Sequence, residues 1–185
     1  SALTNLTSTF QSCTSLTTVN LSSWDVSGVT TMSSTFNGCR NFVGNGLENW
    51  VTTSLNNLSF TFRDCDDLDF SKVEGFNTSG VTNAIGCFFS NASNTNVNCD
   101  LSGWDVSSIS GSSTNSGIAR MFEFCININP NLTGWTFATG RSISLYRFMY
   151  NANSATGLGI ETWVNTSSFN RIDGAFESAF LFNAP

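Results

Sequence analysis

Four aspartates, Asp64, Asp66, Asp67 and Asp69, fall within six residues, with Glu74 close behind. Hard carboxylate oxygens are what Ca²⁺ takes, so this cluster is the candidate metal site of the chain. Its spacing lacks the glycine and the closing glutamate of an EF-hand, and an acidic solvated turn accounts for it more simply. Paired carboxylates also serve glycoside hydrolysis, but that needs one acid with a raised pKa in a cleft, and these lie in a polar turn. The chain has no His, which removes His-based triads, most metal ligand sets and the usual general base near neutral pH. No catalytic residue and no cofactor is expected, and the chain reads as a non-enzyme.

The six cysteines divide into two groups. Cys13, Cys39, Cys65 and Cys125 recur in one slot and read as buried structural thiols. Cys87 and Cys99 lie off that slot, and they are the candidate disulfide pair if one forms. Sequons occur at Asn5, Asn20, Asn57, Asn77, Asn91, Asn131 and Asn165. With 28 Ser, 22 Thr and 23 Asn in 185 residues, that count is near what chance gives and says nothing about glycosylation. Asp25 and Asp105 follow Trp in equivalent places and are expected to bond the amides of the next turn.

Composition excludes other classes. Charged residues make up 11% of the chain and the net charge is -6, so no basic stripe for nucleic acid is available. No apolar run approaches the roughly 20 residues of a membrane span. The 40% hydrophobic content, with 17 Phe, is enough for a core.

The elements that position these residues are repeats. Phe10, Phe36, Phe62 and Phe88 are spaced 26 apart, and Phe122, Phe148 and Phe176 continue the series with insertions. Trp24, Trp50, Phe76, Trp104, Trp135 and Trp163 occupy a second slot, which reads as a core column in preference to a sugar-stacking platform. Val29, Met32 and Phe36 have the spacing of one helical face, and Leu16, Val19 and Leu21 that of a short strand. One α/β solenoid array over 1–185 is therefore expected, with about seven coils of about 26 residues, each a short strand and a short helical turn. Both ends stop within a unit, so the array is expected to be a slice of a longer chain.

The run FQSCTSLTTVNL at 10–21 resembles the core of BspA-like leucine-rich repeats. The run LSSWDVSGVTTM at 21–32 resembles the related bacterial surface-protein repeat of unknown function, and LSGWDVS at 101–107 repeats it. The resemblance covers nearly the whole chain and is clearest over 3–107. It implies a right-handed, leucine-rich-repeat-like coil and a secreted, surface-anchored or virion protein, with no catalytic motif. The expected function is an extracellular, cell-surface or virion-surface module for adhesion or ligand binding, its partner a protein or glycan on a surface. The alternative is a structural part of a virion, fibre or surface layer, with copies of itself as partner. The insertions near 91–98 and 107–117 are the expected contact loops, with Asn94, Asn96, Ser110, Ser112, Thr114 and Asn115 as candidate contacts.

Overall fold

The structure is a computed structural model, and it describes residues 2–94, 98–164 and 168–182. Its regular elements are few. They are 3₁₀ turns at Leu47–Asn49, Phe70–Lys72 and Ile160–Thr162, and strands β1 (Asn98–Asp100), β2 (Asn129–Asn131), β3 (Ile143–Ser144) and β4 (Phe169–Arg171). β1 pairs with β2 and β3 with β4, both parallel, the second pair with a bulge. Single parallel bridges link Asn5 to Thr31, Thr31 to Asn57 and Asn57 to Asn83. No helix among the described residues is long and apolar enough to cross a membrane.

The expected α/β solenoid of about seven coils, each with a helical turn and a strand, is not what the chain adopts. Most of it is turn and irregular backbone, and no α-helix forms among the described residues. The hydrogen bonds give the reason. Around Phe10, the N–H groups of Thr9, Gln11 and Cys13 close local turns onto Leu6, Ser8 and Phe10. The alternate N–H groups, of Ser8, Phe10 and Ser12, donate instead to Ser33, Thr35 and Asn37 in the next repeat. A helix would send every N–H to the fourth residue back. Here half of them leave the segment, and the backbone turns left-handed two residues before and two after the anchor.

Among the described residues, all eleven non-glycine residues with left-handed backbone occupy those two slots: Ser8 and Ser12, Ser34, Phe60 and Asp64, Ser90, Arg120 and Phe124, Arg147 and Asn151, and Ser178. Such a residue every fourth position is incompatible with an α-helix. The Val29, Met32 and Phe36 spacing is therefore a succession of turns, not a helical face. The strand expected at Leu16, Val19 and Leu21 is absent too: Leu16 N–H turns back to Cys13, and Leu21 N–H alone reaches the next repeat, at Asn45.

The core runs along the repeats. Phe10, Phe36, Phe62, Phe88 and Phe122 stack face to face with centroids 5.4, 5.7, 5.8 and 5.5 Å apart. Full burial of one such ring contributes about 2–3 kcal/mol. The indoles are core as well. Trp50, Trp104, Trp135 and Trp163 are buried, and each Nε1–H donates to a carbonyl of the preceding repeat: Leu21, Val73, Leu101 and Leu132.

One anchor differs from its expected place. Phe122 N–H bonds Phe148 O, as Phe88 N–H bonds Met121 O, so Met149 and not Phe148 is in register with Phe122. Phe148 is still buried, but it meets Phe122 edge-on at 86°. The one-residue slip also puts buried Ala152 in the cysteine slot.

Candidate functional site

The acidic cluster is dispersed by its partners. Asp64 Oδ2 lies 3.2 Å from Arg63 Nε, and Asp66 Oδ2 lies 3.0 Å from Arg40 Nη1. Asp66 Oδ1 accepts from Ser93 N–H. Asp69 Oδ1 accepts from the N–H and hydroxyl of Ser71 and caps the turn Phe70–Lys72. Asp67 is exposed, and Glu74 Oε1 accepts from Asp100 N–H. No three His, Cys, Asp or Glu side chains converge on a metal-sized space among the described residues, so the Ca²⁺ reading lacks its geometry.

The other candidates are mostly structural in their contacts. Cys87 and Cys99 are free buried thiols, so the expected disulfide is not formed. Asn94 is buried and its amide donates to Leu68 O, which removes it from any contact surface. Asn96 lies outside the described residues. Ser110 N–H is tied to Thr82 O, and the neighbouring Gly111 pairs with Ile143. Beyond it the 112–116 loop closes on itself, with Ser113 and Ser116 hydroxyls 2.9 Å apart and Asn115 N–H on Ser113. Ser112 and Asn115 are exposed and Thr114 is half-buried. Asp25 Oδ1 takes the N–H and hydroxyl of Ser27, which hold its pKa below the ordinary aspartate value, and Asp105 takes the N–H of Ser107.

What the fold does assemble is a strip of arginine and aromatic side chains on its outer surface. It is built from the residues around the two left-handed slots. Slots filled by Ser or Gly in the first repeats hold Phe60, Arg120, Phe124 and Arg147 later. Side chains there point outward, one above another, because their backbones are hydrogen-bonded repeat to repeat. The Arg63 guanidinium lies 4.8 Å from the Phe89 ring centroid and 6.0 Å from that of Phe60. Phe89 meets Phe124 edge-on at 5.9 Å, and Phe124 meets Tyr150 edge-on at 5.6 Å. Arg147 bridges Tyr150 at 4.6 Å and Tyr146 at 5.4 Å. Arg120 and Arg171 each sit 5.1 Å from the Tyr146 centroid.

The strip gathers both tyrosines of the chain and four of its seven cations. Beneath it lies Glu123, whose side chain is only 1% exposed. One carboxylate oxygen takes Arg120 and the other Arg147, each at 3.2 Å. A buried carboxylate is stable only when paired, and here two guanidiniums share one. Arg171 pairs with Asp173 at 2.8 Å. Four guanidiniums thus face three carboxylates in a chain that is otherwise strongly acidic. The rings and guanidiniums are half-exposed. Sequence reasoning missed this site, because the segment around each anchor reads as a helical face, which does not stack the positions two residues either side of the anchor on the outside. The departure from the Ser and Gly of the first repeats to Phe60, Arg120, Phe124 and Arg147 is the pattern that marks it.

Comparison with known proteins finds no match among curated proteins or solved structures. A family model matches twice, over residues 4–135 and 56–185. The second match starts 52 residues after the first, twice the 26-residue spacing, as a repeat array requires. This agrees with the likeness of 21–32 to surface-protein repeats of unknown function. The chain belongs to the family described as Mycoplasma protein of unknown function, DUF285.

Proposed function

We propose that the chain is a non-enzymatic extracellular module that binds a ligand on a cell or virion surface through the arginine–aromatic strip. The observation that carries this reading is the unbroken series of contacts from Phe60 to Arg171 on the outer face. Half-exposed arginine and aromatic side chains are what binding surfaces concentrate. The surface-protein character of the repeats supports an outside location. The absence of His and the ion pair of Asp66 with Arg40 support the non-enzymatic reading. The strip replaces the 107–117 insertion as the contact surface, since that loop spends its polar groups on itself.

The test is adsorption of labelled protein to intact cells of the source culture. The double variant Phe124→Ala, Tyr150→Ala should lose about tenfold or more in affinity. A variant with Ser112 and Asn115 replaced by Ala should adsorb like the parent. Equal adsorption by all three proteins would overturn the proposal.

The structural alternative is favoured by a different observation. Gly174, Phe176 and Ser178 have N–H groups without acceptors among the described residues, while their equivalents in every earlier repeat are bonded onward. Phe180 and Leu181 are exposed in the same repeat, and exposed Ile172 lines an apolar recess of about 230 Å³ together with Leu145, Trp163 and Phe176. At the opposite face, the carbonyls of Thr7, Thr9 and Gln11 accept no backbone hydrogen bond among the described residues. Donors at one face and acceptors at the other suit another layer of the same repeat. If copies of the chain supply it, Phe180→Asp should lower the mass measured by sedimentation. An unchanged mass would count against assembly.

A further inference from the structure

We infer that the ligand of the strip is an acidic polysaccharide, a polymer of sugar rings bearing carboxylates. The inference rests on the strip being the contact surface and deepens that reading. Three features select this chemistry.

The first is charge. Three guanidiniums crowd one ring at Tyr146, and Glu123 and Asp173 are the carboxylates that pair with them. Arg120 and Arg147 each commit one Nη1 to Glu123, which leaves other N–H donors on side chains 28% and 37% exposed. A planar anion can take such donors in pairs.

The second is the rings. Phe89, Phe124 and Tyr150 meet edge to face, so they form a stepped apolar surface beside the arginines rather than a sealed stack. The C–H face of a pyranose packs on such rings while its carboxylate and hydroxyls reach the guanidiniums.

The third is shape. The strip runs across successive repeats, each on the order of 4.8 Å from the next, so its chemistry recurs along a line as a polymer's does. A peptide would seek main-chain partners at a free strand edge. In the repeats that carry most of the strip those partners are taken: N–H groups of Phe60, Phe62, Arg120, Phe122 and Phe124 already bond the next repeat.

The experiment is titration calorimetry of the full chain with polygalacturonate, with dextran as the neutral polymer and polyglutamate as the acidic peptide. Polygalacturonate should bind and dextran should not, and binding should weaken as NaCl is raised. Arg147→Ala and Tyr150→Ala should each weaken it about tenfold, while Tyr150→Phe should keep most of the affinity. Circular dichroism of each variant separates lost binding from lost fold. Equal binding of dextran, tighter binding of polyglutamate, or no binding of polygalacturonate would overturn the inference. Because adsorption to cells is measured separately, a strip that mattered there with no polygalacturonate binding would reject this ligand class alone.

Discussion

At the residue scale the cysteine slot shows how the chain satisfies its interior. Cys39, Cys65 and Cys125 donate from Sγ to the carbonyls of Phe10, Phe36 and Phe88, each anchor in the preceding repeat. Asn91 does the same with its amide, on Phe62 O, and its Oδ1 also takes Cys65 N–H at 2.7 Å. Cys and Asn in this slot thus do one job, a small donor aimed at a buried carbonyl. Burial pushes the thiols up, Cys39 to about 11 and Cys125 to about 12. A thiol neutral in the folded state and ionised in the unfolded one costs stability as pH rises. For Cys39 the contribution is complete below about pH 9 and is lost through about pH 11. Urea denaturation should therefore show stability falling over that window, and less steeply in Cys39→Ala. A matching slope in the variant would contradict the assignment. At neutral pH one thiol of six, the exposed Cys13, should react quickly with a thiol reagent, and the others only on unfolding.

At the element scale the unit is a run of turns closed by close approach to its neighbour. Gly46 illustrates the constraint. Its φ is +93°, and a Cβ there would clash with Ser22 N and sit 2.7 Å from Leu21 N. Gly134 is also left-handed, at +80°, but has nothing within 4 Å. Gly134→Ala should cost about 1 kcal/mol, the backbone strain alone. Gly46→Ala should cost several times that, because backbone must move as well. Thermal unfolding of the two variants checks the order, and equal losses would contradict the packing described. The Phe and Trp columns were legible in the sequence because each slot keeps its residue type. The turn conformation was not. A four-residue turn repeat and a 3.6-residue helix place Val29, Met32 and Phe36 almost alike, and only the hydrogen bonds separate them. The slip at Met149 was hidden for a similar reason, since Phe148 keeps the pattern while its neighbour keeps the register.

At the scale of the whole molecule, one arrangement produces both core and surface. Sending alternate amides to the next repeat holds equivalent residues one above another. Inward-facing anchors become a stacked aromatic column, and the flanking left-handed residues become columns on the outside. Arginine and aromatic residues spread over more than a hundred positions of sequence, from Phe60 to Arg171, thereby meet in one strip. Nothing in the local sequence around any one of them marks it, which is why the insertions at 91–98 and 107–117 drew attention first. The strip, and with it the proposed binding function, stands on the alternation of hydrogen bonds. Through-hydrogen-bond couplings measured by NMR test that alternation most directly. Phe36 and Phe62 N–H should couple to the carbonyls of Thr61 and Cys87, and Thr35 and Thr61 N–H to those of Met32 and Leu58. Couplings from these amides to the carbonyl four residues back would mean helical turns, and would contradict the account.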